Sequence, residues 1–465
     1  MSAVFLLQLR DNLGSLRLQL SLLILLVLFA ANGAVFSARV ERQRAETAQI
    51  RAADDRVLDG VGTVADAVTP WYRIHSAPLG TEFIADGGNS WTYDSLWITP
   101  RSGQTLWNNT VRTTNNWMRR FEVLDWVLVA RYAVTFLCLV LAYDAVSGEL
   151  ESGTLRLALA CPLSRGRFLA GKFLAHLATV LAATAVGAAV SLVILVVGGA
   201  AVVDGALAAA VGGFLLGLAF LAALFLLLAI GVSALARSSA AALVFLVTAW
   251  TVLIVVVPQS SYLVAVCSVE PLGPFWEEMR SQRDQAMESL EMAGLTPRPP
   301  DLAAADGYAV ERTYAREMGR MEEGLDRLKT ALDERIFRQY SVARSVNLLS
   351  PGFAFQYGLE TLLGTGADRV RSFFRQGWDH RRALRDFLRG RDSADPASPH
   401  ILYLSDFMSR RPLDARLLPG FRQSPLPADE RLAAGVVPAA ALVFEAGAAF
   451  LFALWALRRL DLAGD

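Results

Sequence analysis

Residues 144–172, DAVSGELESGTLRLALACPLSRGRFLAGK, form a short polar and charged segment between two runs long enough to cross a bilayer. Its first half favours a helix over 147–161. Ser147 suits the N-cap position, and Glu149 and Glu151 suit the positive end of the helix. Leu150, Leu155, Leu157 and Leu159 give it apolar surface. Gly153-Thr154 interrupts it, Pro162 stops it, and Lys172 opens the next apolar run. A simple loop has no need of a half-apolar helix that lipid or a partner must cover. The segment therefore reads as a docking surface joined directly to membrane helices.

Working outward, six runs reach the roughly 20 apolar residues that a hydrocarbon core requires. They lie at 18–38, 123–143, 173–200, 206–234, 240–258 and 435–457. At 54% hydrophobic residues the chain is too apolar for an ordinary soluble protein of 465 residues, and the excess is concentrated in those runs. The expected fold class is mainly α, a polytopic membrane protein with six transmembrane helices and two extracytoplasmic insertions. The first run has no clean small-residue cleavage site and reads as a retained anchor. Residues 1–17 read as an interfacial elbow helix, with Phe5, Leu6, Leu9 and Leu13 on one face.

Orientation follows from the basic residues of the short connections. Arg10 and Arg17, then Arg156, Arg165, Arg167 and Lys172, then Arg237, and finally Arg458 and Arg459 all fall on one side of an even number of spans. That side is expected to be cytoplasmic, with both termini, the tail 458–465 and the 144–172 segment. The turn near Asp204 carries no basic residue and falls outside. So do two long stretches, 39–122 and 259–434.

The first outer stretch opens as a charged helix continuing the first span. It then turns aromatic and polar from WYRIHSAPLG to NSWTYDSLWITP, which suggests short strands or ordered loops. The second is mainly helical. Segments 275–293 and about 303–343 flank the breaker LTPRPPD and read as a hairpin. Tyr314, Met318, Met321, Leu325, Leu328 and Leu332 recur at coiled-coil spacing along the longer arm. That arm would reach about 60 Å and must pack against its return arm or a partner chain. An apolar helix between Pro351 and Gly364 is too short to span and is expected in the lipid interface. The basic amphipathic helix after it, with Phe373, Phe374, Trp378, Leu384 and Phe387 on its apolar face, suits protein or lipid.

No pattern supports chemistry on this chain. GRFLAGKF (166–173) approaches a phosphate-binding loop, but Phe173 stands where a hydroxyl should hold Mg²⁺ and no strand precedes it. Lys172 is better read as an interface anchor. His75, His176, His380 and His400 are scattered, and Cys138, Cys161 and Cys267 suit neither a disulfide framework nor a metal pair. Neither a zinc-protease motif nor a nucleophile elbow occurs. The net charge of zero names no partner, and nothing points to nucleic acid. No metal site is expected.

Two charges stand inside apolar runs, Arg131 and Glu445. Each would cost a few kcal/mol alone in hydrocarbon. They are expected to pair or to line one aqueous cavity; the plainer reading is that Arg131 snorkels outward. Gly187 with Ser191, and Gly213 with Gly217, read as close helix packing.

The 144–172 segment resembles the coupling region of ABC-2 type exporter permeases: an acidic pair, Gly-Thr, an apolar run, Pro-(apolar)-Ser-Arg, then Gly-Lys. Glu149, Glu151, Gly153, Thr154, Leu155, Pro162, Ser164, Arg165, Gly171 and Lys172 occupy those positions. RRFEVLDW (119–126) before the second run, and LLSPGFAFQYGLETLLGTGADRVRSFF (348–374), are similar to a subfamily related to copper-enzyme maturation permeases, which carries two large insertions. Arg131 departs from the apolar residue expected there. The EAGAA at 445–449 lies inside a span and does not match the loop of importer permeases.

The resemblance implies a non-catalytic permease in the bacterial inner membrane, with two copies of a cytoplasmic ABC ATPase and a second permease chain, identical or paralogous. ATP and Mg would sit on the ATPase, with no cofactor on this chain. Ser147, Glu149, Glu151, Gly153, Thr154, Leu155, Pro162, Ser164, Arg165 and Lys172 would belong to the ATPase-coupling segment. Two functions suit it: an ATP-driven exporter, or a mechanical transmitter acting on an extracytoplasmic protein while nothing crosses the membrane. An intramembrane enzyme lacks paired catalytic residues.

Overall fold

The computed structural model describes residues 2–88, 95–101, 123–154, 164–270, 275–402 and 404–459. Among these, six helices are long and apolar enough to cross a membrane. The chain opens with α1 (Ser2–Gly14). Ser15 breaks it from the next helix, because its hydroxyl accepts the Leu18 amide as an N-cap. The first span belongs to α2 (Leu16–Asp59), which runs on through the charged stretch expected to extend it. Asn12 donates to Thr179 at 3.0 Å, and so seats α1 on the third span.

Asp125 caps the second span by accepting the Leu128 amide at 2.7 Å. This span comprises α4 (Trp126–Val129), a π-helical turn (Ala130–Val134) and α5 (Thr135–Ala142). It leads into α6 (Ser147–Glu151). The third and fourth spans are α7 (Arg165–Val197) and α8 (Gly205–Leu235), capped by Ser164 and Asp204. The fifth joins α9 (Ser239–Thr251), a second π-helical turn (Val252–Val256) and α10 (Val257–Ser268). The sixth is the last helix of the chain, described below.

Outside the bundle, β1 (Tyr72–His75) and β2 (Ser95–Ile98) pair antiparallel, with Tyr72 opposite Ile98. Ile74 and Leu96 pack on Phe373, Phe374, Leu384 and Leu388, alongside Val64, Ala67 and Val68 of α3 (Val64–Val68). The aromatic face of the 367–393 helix therefore covers protein rather than lipid.

The hairpin is present as α11 (Phe275–Met292), α12 (Pro300–Ala303) and α13 (Ala309–Asn347). The last packs along α11 and on α10. Its buried face differs from the expected seam. Leu325 is buried, but its companions there are Glu311, Glu322, Lys329, Ile336, Gln339, Ala343 and Asn347. Two of the polar members have partners that offset their burial: Arg298 pairs with Glu311 at 2.9 Å, and the Lys329 ammonium stands over the Trp378 ring.

The largest departure concerns α14 (Pro351–Leu363). The lipid interface expected for it is not its place. It lies among the spans, against α8, both π-helical turns and the last helix, with nearly every residue buried. It is apolar almost all round, and such a helix is stable only when covered on all faces. Small residues open the space. A Cβ on Gly213 would lie 2.5 Å from Leu362 Cδ2, and one on Gly217 3.0 Å from Phe355 Cε2. The Gly213 and Gly217 positions thus admit α14 rather than another span. α15 (Ala367–Ser393) and α16 (Ala428–Arg458), the sixth span, complete the chain.

Candidate functional site

The 144–154 segment is held by bonds to several spans. Asp144 pairs with Arg17 of the first span at 2.7 Å. Lys172 of the third span donates to the Ala145 carbonyl at 2.7 Å and forms an ion pair with Glu149. Ser233, in the last turn of the fourth span, accepts the amides of Val146 and Ser147 at 3.0 Å each. Glu151 accepts the Ser239 amide at 2.8 Å and its hydroxyl at 2.9 Å, at the start of the fifth span. Arg165 donates to the Leu457 carbonyl, near the end of the sixth, at 3.3 Å. The 144–154 segment thus continues from the second span and bonds the ends of the first, third, fourth and fifth, and Arg165, at the start of the third, ties that end to the sixth.

Several sequence expectations change here. Ser147 is not an N-cap; Val146 holds that position without a side-chain cap bond. The Ser147 hydroxyl lies 3.1 Å from both the Ser233 and the Ser239 hydroxyls. Packing took it, because the segment lies directly on the ends of α8 and α9. Lys172 is no interface anchor: it is 4% exposed and bonded inward, since Glu149 and a free carbonyl at Ala145 offer it partners that lipid does not. The helix ends at Glu151, and Gly153 turns the chain with φ 72°, a conformation suited to glycine. Leu155, Pro162 and Cys161 lie outside the described residues.

What remains outward-facing is the tip. Ser152, Gly153 and Thr154 are exposed, as are Ser164, Arg165 and Arg167. The Ser152 and Thr154 hydroxyls meet at 2.8 Å. Among the described residues the segment thus has buried feet, from Ala145 to Ser147, and an exposed tip.

The two intramembrane charges do not form the expected pair. Arg131 is 3% exposed and donates to Gln356 Oε1 at 2.6 Å, with its guanidinium 3.8 Å from the Phe353 ring centroid. Neither does it snorkel outward, because α14 brings an acceptor and an aromatic face to it. No ion pair joins it to Glu445, whose Oε2 has no hydrogen-bond partner among the described residues. Gln356 in turn donates to Glu360 at 2.6 Å.

Sequence reasoning missed Asp144, Ser233 and Ser239, and it missed Gln356 and Glu360. The last two carried a signal: polar residues four apart in an otherwise apolar helix share one face. Among the described residues no group of three or more His, Cys, Asp or Glu is arranged to hold a metal ion.

Comparison with known proteins agrees with this architecture. The profile of the ABC-2 family transporter proteins matches residues 3–462. A probable ABC transporter permease protein NosY of Pseudomonas aeruginosa is 48% identical over 59 residues, which is 13% of this chain and 22% of that relative. The NosY of Stutzerimonas stutzeri, described in the same words, is 50% identical over 48 residues, 10% of this chain and 17% of the relative. The matched segments thus span about a fifth of the length of these curated relatives.

Proposed function

The chain belongs to the ABC-2 transporter family, and from that premise we propose that it is the permease subunit of an ATP-binding cassette transporter, driven by a separate ATPase and acting in export. In this reading the 144–172 side faces the cytoplasm of a bacterial inner membrane, with both termini. Two ATPase copies carry the ATP and Mg, and a second permease chain completes the assembly. This chain hydrolyses nothing. The carrying observation is the 144–154 segment, continuous with the second span and bonded to the ends of the first, third, fourth and fifth, while Ser152–Thr154 stay exposed. Closure of the ATPases would displace the tip, and the permease would exchange between two states whose balance ATP sets.

A second reading is favoured by α14. It sits among the spans yet continues directly from the long α13 arm, so a change in the bundle reaches the outer side without a cargo. In that reading the arm acts on an extracytoplasmic protein.

The test is copurification from the native membrane with identification of all subunits. Glu149 and Glu151 are engaged within the chain, so their reversal would disturb the segment itself. Thr154→Arg probes the exposed tip instead. The expected result is a folded permease that loses its ATPase; undiminished copurification of the ATPase with this variant would count against docking at the tip.

A further inference from the structure

The second span has two ends, and each is tied to something outside it. One end continues into the 144–154 segment. Near the other, Arg131 lies inside the π-helical turn Ala130–Val134. Its neighbour Thr135 donates to the Arg131 carbonyl and accepts the Trp250 indole N–H at 2.9 Å. Trp250 lies just before the second π-helical turn, in the fifth span. Both turns border α14. A Cβ on Gly352 would stand 3.0 Å from Ile254 of one turn and 3.2 Å from Arg131 of the other.

From Arg131 a polar chain runs along α14. Gln356 accepts from Arg131 and donates to Glu360. Glu360 is 5% exposed and lies beneath the loops carrying Gly87 and Gly366, both at positive φ. A Cβ on Gly366 would lie 2.9 Å from Glu360 Oε2, and one on Gly87 3.2 Å from Glu360 Cγ. Outside the bundle, Asn347 of α13 donates to the Tyr357 hydroxyl of α14 at 2.9 Å, and Arg344 of α13 pairs with Asp368 of α15 at 3.1 Å, which ties together the helices on either side of α14.

A π-helical turn holds one residue more than the α-helix around it. Converting it shifts the register on one side by about 1.5 Å and about 100°. It is therefore an element with two discrete arrangements, and the bonds of Arg131 bear on which one is occupied.

We propose that Arg131, Gln356 and Glu360 form the linkage through which the second span moves α14, and with it the outer region, when the 144–154 segment is displaced. They are positioning residues. The inference rests on the ATPase-driven reading above and adds the route from the segment to the outer side.

The test uses the intact complex of permease and ATPase and follows hydrogen exchange with and without ATP. In the wild type, ATP should change protection at 147–154 and also along 309–363. Gln356→Met keeps the volume and removes both hydrogen bonds. It should leave the response at 147–154 intact and reduce the response along 309–363 at least about fivefold, the scale of one lost hydrogen bond. Arg131→Lys, which keeps the charge and loses the planar fork, should give a partial loss and carries the same test if the first variant fails to assemble. A full outer response in a variant that assembles overturns the linkage alone. A wild-type complex without any ATP response at 147–154 removes the ATPase-driven reading, and the linkage with it.

Discussion

Glu151 takes both the backbone amide and the hydroxyl of Ser239, at 2.8 and 2.9 Å. The last residue of α6 thus sits on the first turn of the fifth span, where a carboxylate is favoured by the orphan amides and the helix dipole. Ser238 caps the same helix by accepting the Ala241 amide at 3.2 Å. Glu151→Ala should therefore loosen the segment and spare the span. The expected cost is about 1 kcal/mol, confined to α6. Amide exchange over 147–151 should rise about fivefold, while exchange within 239–251 changes little.

Lys172 and Glu149 form the other anchor of the segment. Lys172→Met strands the Ala145 carbonyl and the Glu149 carboxylate. Glu149 keeps 27% side-chain exposure and can recover water, so the cost belongs at the low end for a broken pair, about 1–3 kcal/mol. Unfolding in one fixed detergent measures it. Lys172→Arg should fall between the variant and the wild type.

The seat of α14 can be tested by filling it. A Cβ on Gly217 would meet the Phe355 ring at 3.0 Å, and a ring packed against Phe214 has little room to yield. Gly213 faces the tip of Leu362, a flexible side chain that can turn away. Gly217→Val should destabilise by about 1–3 kcal/mol, and Gly213→Ala by less. Thermal unfolding of the two variants side by side checks the order.

A carboxyl outside the spans gives stability a dependence on pH. The Arg298 guanidinium holds Glu311 at about 2, against an ordinary 4.5. Its contribution is present above about 4.5 and is lost as pH falls toward about 2. Unfolding curves across pH for Glu311→Gln should lack that slope.

Much of the fold was legible in the chain. The run at 206–234 became Gly205–Leu235, and the breaker around Pro297 and Pro299 became the bend between α11 and α13. Short-range pattern governs such elements. The candidate site was legible as a segment but not as a set of contacts. Ser147 offered a good cap, and nothing nearby in sequence announced that Ser233 and Ser239 would claim its hydroxyl. The small residues at 213 and 217 signalled close approach without naming what approaches.

Apolar run length, breakers and capping residues are properties of neighbouring residues, so the sequence by itself determined the six long helices, the break at Ser15 and the hairpin arm. Only the tertiary structure decided where α14 lies and which groups meet the buried charges. Arg131 and Gln356 are 225 positions apart, and Lys172 bonds a carbonyl 27 positions away. A buried charge takes whichever partner the packing presents, and helices far apart in the chain determine the packing.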